Sequence, residues 1–263
     1  MEILVCARRV PDTSENEIQL NAGGNDIERD DLVYSINEPD NYAVEEALQI
    51  VGRVGGNVTV ATVGGEDDEE ILRREMAMGA KHGALISDEA FSGSDGRGIA
   101  TILKAYIQKN NFDLILTGVQ AEDGAAQVGG MLAALLDYPF ASLVNSIEVV
   151  EGGKLKISRE IAGGNKEMSE IDLPCVLSIQ TGINEPRYVG MKGIRQVASI
   201  PIPTLGASDL GVDAGAVGEA VAKVKLMDYF APALGKGAEM LQGSREENID
   251  KVIELLKAKG GLK

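Results

Sequence analysis

Apolar positions in the first 140 residues alternate between short continuous runs and helical stripes. Ile3–Ala7, Val58–Val63, Ala84–Ser87 and Leu114–Thr117 are runs of strand length. Between them, three segments repeat apolar residues three and four apart. The first carries Val44, Ala47, Leu48 and Val51, the second runs from Glu66 to Met78, and the third carries Ile99, Ile102, Leu103 and Tyr106. Strands alternating with helices of this length predict an α/β architecture, a parallel sheet covered on both faces. In such sheets ligands bind beyond the carboxyl ends of the strands. The loops after Ala7, Val63, Ser87 and Thr117 are therefore expected to converge on one ligand.

The most informative stretch is Asp113–Leu136. A strand-length run ends at Gly118, a polar loop of small residues follows through Ala126, and Val128, Met131, Leu132, Leu135 and Leu136 then mark one helix face. Strand, glycine-bearing loop and helix start, in that order, aim the backbone N–H groups around Ala126, Gln127 and Val128 at one spot. Those donors and the positive end of the helix dipole suit a phosphate. An ordinary strand-to-helix connection has the same pattern, and both readings stay open.

Beyond residue 140 the pattern changes. Leu143–Val150 and Lys154–Ile161 flank Glu151-Gly152-Gly153, a hairpin signature. A strand, Cys175–Gln180, follows Pro174. Gly182–Val212 bears Pro and Gly without clear periodicity and reads as a long loop or arm, a feature uncommon without a function. Ser244 and Glu247 form a capping box that opens a last helix, with Ile249, Val252, Ile253 and Leu256 as its apolar face and Gly260 as its stop. The loose segment Tyr229–Gly243 precedes it. The expected division is 1–212, an α/β domain with a β extension, and 213–263, an arm and helix that contact a partner.

Charge and composition exclude several classes. A formal charge of −16 repels a nucleic-acid backbone, and with no Trp and 4% aromatic residues there is no stacking platform. Cys6 and Cys175 show no CxxC pairing, and no metal cluster or nucleophile–base pair is visible. The only histidine, His82, has no candidate base beside it. The acidic run Glu66–Glu70 opens a helix, where carboxylates favour the dipole. Met1–Val5 reads as a first strand rather than a signal peptide, and no apolar run approaches the roughly 18 residues of a membrane span. A cytoplasmic, soluble protein is expected.

Several motifs then occur in a telling order: Val10-Pro11-Asp12, Ala43-Val-Glu-Glu-Ala47, Met76-Ala-Met-Gly-Ala80, Gly118-x-Gln-Ala121 with Gln127-x-Gly129, Arg159-Glu160, Pro174 and Asn184-Glu-Pro-Arg-Tyr188. In this order residues 1 to about 212 resemble the β subunit of electron transfer flavoprotein. The resemblance implies a Rossmann-like sheet of adenine-nucleotide-binding type and an α-subunit partner that holds the redox-active FAD. It implies electron transfer between an acyl-CoA dehydrogenase-type enzyme and an acceptor such as a quinone oxidoreductase. The β subunit carries a nucleotide of its own. That nucleotide is AMP in the carrier branch, or a second FAD that takes hydride from NADH in the electron-bifurcating branch.

The residues implied for it are Cys6, Ala7, Asn37, Pro39, Asp40, Thr62, Val63 and Gly64, with Asp123, Gly124, Ala125, Ala126, Gln127, Val128 and Gly129 as the phosphate loop. Each has a plainer reading: Cys6 as a small core residue, Asn37, Asp40 and Asp123 as helix caps. Between the two nucleotides, Ser92–Thr101 leans toward FAD. Its small residues leave room for an isoalloxazine ring and Asp95 matches that branch, while Gly96, Gly98 and Ile99 stand where Thr residues are expected. Asn184–Ser199, within a recognition loop of about 182–200, matches the dehydrogenase-docking loop. There Met191 falls on the anchor position, and Glu185, Arg187 and Tyr188 lie beside it. Met191 packing on its own domain, and Glu185 pairing with Arg187, are the local alternatives. Ala162, where the family usually has an acidic residue, and Gly193–Ser199, where a Lys-rich run is common, depart from the pattern. A stand-alone adenine-nucleotide-binding stress-type domain explains the sheet but neither the docking loop nor the β extension. An ATP-pyrophosphatase needs a Ser-Gly-Gly loop where Arg8–Asp12 stands.

Overall fold

The computed structural model describes residues 1–121, 124–233, 235, 237–238 and 240–262. Strand β1 (Glu2–Cys6) leads into β2 (Arg9–Pro11), which pairs antiparallel with β3 (Tyr34–Ile36). There follow α1 (Glu38–Val54), β4 (Asn57–Val63), α2 (Glu69–Met78), β5 (His82–Ile86), α3 (Gly96–Gln108), β6 (Leu114–Gly118) and α4 (Val128–Leu136). Then β7 (Phe140–Val150), β8 (Lys154–Ile161) and β9 (Asn165–Asp172) run antiparallel, and β10 (Cys175–Ile179) returns between β6 and β7. After α5 (Met191–Val197), β11 (Thr204–Leu205) and α6 (Ala207–Leu210), the last element is α7 (Arg245–Ala258).

Among the described residues one sheet has the order β11-β5-β4-β1-β6-β10-β7-β8-β9, parallel from β11 to β7. Side chains alternate along β1. Ile3 and Val5 face the layer of α1 and α2, and Leu4 faces the layer of α3 and α4; all three are fully buried. Burial on both faces is why these strands read as continuous apolar runs. Truncating one such Leu or Ile to Ala costs about 2–5 kcal/mol.

Local chemistry sets the boundaries. Pro39 sits in the first turn of α1, where its missing N–H costs nothing, and Gly55 at φ 80° stops that helix. Gly79, at φ 135°, ends α2. Acidic residues lead both helices, though Glu66–Asp68 forms a 3-10 turn and α2 begins only at Glu69. The Ser244–Glu247 capping box is present, with the Ser244 amide 2.7 Å from Glu247 Oε2.

Two expectations change, and one element was not foreseen. The hairpin is a three-stranded meander, because β9 (NKEMSEID) is an exposed edge whose sole buried residue is Ile171. Gly182–Val212 is not a bare loop: it forms α5 and α6 and supplies β11 to the far edge of the sheet. The β2–β3 ribbon is too short to leave a pattern. Contacts divide the chain into two units, Met1–Ile18 with Arg29–Met227, and Gln19–Glu28 with Asp228–Lys263. The first unit contains the whole sheet. In the second, α7 buries none of its residues, and its apolar face of Ile249, Val252, Ile253 and Leu256 is exposed.

Candidate functional site

The sheet reverses its winding between β1 and β6. From β1 the chain passes through α1 to β4 and then β5 on one side; β6 starts the other side and leads to α4. The carboxyl ends of neighbouring strands diverge at such a switch point and leave a crevice for a ligand. Its lips are Cys6-Ala7 on β1 and Thr117-Gly118 on β6, which lie in register.

Helix α1 closes the back of this crevice through Asp40. One carboxylate oxygen accepts the Arg8 amide at 2.9 Å and the other the Gly118 amide at 2.8 Å. Gly118 must be glycine for this: a Cβ there would stand 2.4 Å from Asp40 Oδ1 and 2.7 Å from Pro39 Cβ. Asn37 sits at the N-cap position of α1 but does not cap it with its side chain. Its carboxamide donates instead to the Gln120 carbonyl at 3.0 Å, while its buried Oδ1 has no partner among the described residues.

The floor beneath α4 is equally tight. The Thr117 and Ser178 hydroxyls lie 2.9 Å apart, and a Cβ on Gly129 would come within 2.4 Å of Ser178 Oγ and 3.0 Å of Thr117 Oγ1. Glycine thus brings the first turn of α4 onto the ends of β6 and β10. Gln127 holds the N-cap position in helical conformation and makes no side-chain cap, so among the described residues the first-turn amides of α4, like those of α1 and α2, receive no acceptor from an N-cap side chain. Ala126 before it is left-handed at φ 54°, and Ala125 and Ala126 are exposed. Gly124 closes a turn onto the Ala121 carbonyl at 2.9 Å. Asp123 lies outside the described residues.

On the other side of β1, Thr62 is buried and Val63-Gly64 end β4. Asp68 fills the space at Gly64, accepts the Gly65 amide at 2.7 Å, and lies 3.9 Å from Arg9, whose guanidinium stacks on Tyr34 at 3.7 Å.

Helix α3 is built in the opposite way. Asp95 caps it, accepting the Arg97 and Gly98 amides, and its second oxygen takes the Lys223 and Val224 amides at 2.7 and 3.2 Å. Hydrogen bonds to four amides hold its carboxyl below the usual range, against a small opposing effect of burial, with the Gly98 amide contributing most. Two of the small residues beside it are in close contact with neighbours, while Gly98, Ala216 and Gly218 line a cavity of about 350 Å³ together with Asp95. A Cβ on Gly93 would meet Glu219 Cβ at 2.6 Å, and one on Gly96 would meet Gln127 Cβ at 2.9 Å.

Burial pushes the Asp40 carboxyl up to about 7, with hydrogen bonds from Asn37, Gly118 and Arg8 opposing it. Glu75 on α2 is fully buried with neither oxygen partnered; burial first, then the Asp40 charge, raises it well above the carboxylate range. Burial and these two acids also push the Cys6 thiol up, so it is no nucleophile at neutral pH.

The docking candidates separate into two sets. Tyr188 and Met191 are exposed, at 94% and 67%, and Met191 opens α5 rather than packing on its own domain. Arg187 pairs with Glu45 of α1, 142 residues away, rather than with the exposed Glu185. Sequence reasoning passed over Arg8, Thr117, Ser178 and Glu75. Only Gly118, at the end of a strand, carried a readable signal for this side of the crevice. Among the described residues there is no group of three His, Cys, Asp or Glu placed to hold a metal, and no helix is long and apolar enough to cross a membrane.

Fold and site together define a doubly wound α/β domain with a glycine-built crevice at its switch point, extended by a β meander. The family described as "Electron transfer flavoprotein domain" matches residues 25–210. The electron transfer flavoprotein subunit beta of Methylophilus methylotrophus is 34% identical over 260 residues, covering 97% of this chain and 98% of that protein. The caffeyl-CoA reductase-Etf complex subunit CarD of Acetobacterium woodii is 36% identical, covering 93% of each chain. The acryloyl-CoA reductase electron transfer subunit gamma of Anaerotignum propionicum is 32% identical, covering 98% of this chain and 99% of its own. The chain belongs to the electron transfer flavoprotein family, among its beta subunits.

Proposed function

We propose that this chain is the beta subunit of a heterodimeric electron transfer flavoprotein, holding a mononucleotide of the AMP type in the β1–β6 crevice while its alpha-subunit partner holds the redox-active FAD. The observation that carries the nucleotide is the contrast between two helix starts. That of α4 receives no side-chain cap from Gln127 and stands above a glycine-built floor, whereas that of α3 is filled by Asp95. A phosphate suits the first and has no opening at the second.

The residues present fit a nucleotide. The first-turn amides of α4, from Val128 on, and the loop Gly124–Gln127 would hold its phosphate. Cys6, Ala7, Asn37, Pro39, Asp40, Thr62, Val63 and Gly64 would surround the rest. The orphaned Asn37 Oδ1 is an acceptor awaiting a donor. A second flavin fits less well, because Glu219 and Gln127 occupy the space beside Gly93 and Gly96 where its ring was expected. AMP supplies no redox chemistry. In this reading the chain binds, positions and shields, and the electrons travel on the partner's FAD.

The segment around Tyr188 and Met191 docks the electron-donating enzyme. An enzyme acting on acyl-CoA thioesters is the favoured class, since two similar proteins are named as parts of CoA-ester reductases, which handle such thioesters in the electron-accepting direction. Downstream, an acceptor such as a quinone oxidoreductase completes the path, and α7 with its exposed apolar face contacts the alpha subunit.

The test is to co-express the chain with an electron transfer flavoprotein alpha subunit and follow the visible spectrum of the purified pair. Rapid bleaching of one flavin by an acyl-CoA dehydrogenase and its substrate is expected. Failure to form a flavin-bearing pair contradicts the reading.

A further inference from the structure

Helix α1 does more than close the crevice. Glu45 and Glu46, in the middle of it, are each only 4% exposed, and carboxylates that deep persist only with partners. Gln49 at 3.1 Å from Glu45 and Arg53 at 3.5 Å from Glu46 are partners within α1; the others come from the segment that leads to Tyr188 and Met191. Arg187 grips Glu45 with Nε to Oε2 at 2.7 Å, Nη2 to Oε1 at 3.0 Å, and its own amide to Oε2 at 3.2 Å. Its remaining Nη1 donates to the Met78 carbonyl at the end of α2, at 3.2 Å. Asn184 Nδ2 donates to Glu46 Oε2 and to the Tyr42 carbonyl, both at 3.2 Å. At the far end of α5, Arg73 of α2 donates to the Val197 carbonyl at 2.8 Å and to the Ile200 carbonyl. Residues 188–196 thus span two fixed points.

We propose that Glu45 and Glu46 are positioning residues for partner docking: by clamping Arg187 and Asn184 to α1 they fix the direction in which Tyr188 and Met191 are presented. The proposal rests on the reading that this segment docks the electron donor. The geometry is specific to its chemistry. A planar guanidinium matched to a carboxylate by two parallel bonds fixes orientation as well as distance, which a lysine does not reproduce. Burial alone would raise the Glu45 carboxyl; the hydrogen bonds from Arg187 and Gln49 outweigh it and keep Glu45 ionised. The chain therefore presents two exposed apolar side chains on a pre-ordered platform, which spares the ordering cost that a loose loop would meet on binding.

The experiment uses the heterodimer and two readouts. Trypsin cleavage at the exposed Lys192 and Arg195 reports the order of the segment without any partner. Steady-state reduction of the pair by a medium-chain acyl-CoA dehydrogenase with octanoyl-CoA reports docking. Glu45→Gln is expected to speed cleavage about tenfold, through local opening, and to raise KM for the dehydrogenase about tenfold with kcat and nucleotide content unchanged. Arg187→Lys, which keeps the charge but not the fork, is expected to fall between and guards against a Glu45 variant that does not fold. Combining Glu45→Gln with Met191→Ala is expected to raise KM by less than the product of the two single effects, since part of the Glu45 effect passes through Met191. Unchanged cleavage in Glu45→Gln and Arg187→Lys overturns the clamp. A raised KM in Met191→Ala with an unmoved KM in Glu45→Gln overturns positioning while docking stands. No KM change in any variant, with faster cleavage in Glu45→Gln, overturns the docking reading itself and the proposal with it.

Discussion

Asp40 accepts the amide of Gly118 at 2.8 Å, joining the first turn of α1 to the end of β6 across 78 residues of sequence. Its other oxygen takes the Arg8 amide, so one carboxylate ties together both lips of the switch-point crevice. Asp40→Ala leaves two amides without their acceptor. The expected loss is about 2–4 kcal/mol of stability, read by urea unfolding, together with loss of the bound nucleotide. Full stability with the nucleotide retained contradicts this role.

The same residue sets a pH dependence. Burial lifts Asp40 to about 7, whereas an unfolded Asp titrates near 3.9. Between those values the native state holds a proton that the unfolded state has lost, so this contribution is full at acid pH and declines as pH rises through about 7. Subtracting the unfolding free energy of Asp40→Asn from that of the natural protein at pH 5, 6, 7 and 8 reports Asp40 together with its coupling to Glu75, whose carboxyl the Asp40 charge also raises. A difference that falls with rising pH and levels off above 7 is expected. Parallel curves refute it.

Neighbouring glycines in α4 are predicted to respond oppositely. A Cβ on Gly129 meets Ser178 Oγ at 2.4 Å, while one on Gly130 finds only the Phe140 ring at 3.5 Å. Gly130→Ala gains about 0.5–1 kcal/mol from helix propensity. In Gly129→Ala that gain is overridden by the clash, α4 lifts from its floor, and nucleotide is lost. Thermal unfolding of the two variants checks this, and shifts of the same sign would show that the floor is not tight.

Met191 is the exposed anchor of the docking segment. Met191→Ala should raise KM for the acyl-CoA dehydrogenase severalfold, an apolar anchor being worth about 1–2 kcal/mol, with flavin content intact. Stopped-flow reduction at several dehydrogenase concentrations distinguishes a change in docking from a change in electron transfer. An unchanged concentration dependence removes Met191 from the interface.

Legibility followed burial. The strands β1, β4, β5 and β6 announced themselves because both faces are covered and their central positions are mostly apolar, and α4 did so through its stripe and its glycine-bearing loop. Where a segment has no buried face, as in β9, or spans two residues, as in β11, periodicity has nothing to record. The residues of the crevice were legible to the extent that they lie beside strand ends. Ser178 was not, because it meets Thr117 only through the sheet, 61 positions away. Small residues are ambiguous at Gly93 and Gly96. A missing side chain permits a cavity or a close approach equally, and here Glu219 and Gln127 close in. Arg187 paired with Glu45 rather than nearby Glu185 because a buried carboxylate on α1 needs the cation more than an exposed one does.

The most direct test is to denature the purified heterodimer of this chain with its alpha subunit and quantify the nucleotides released. One FAD and one AMP per pair is the predicted result, consistent with a phosphate held at the start of α4 and a start of α3 already capped by Asp95. Two FAD and no AMP would contradict it, and would require Gln127 and Glu219 to withdraw from Gly96 and Gly93.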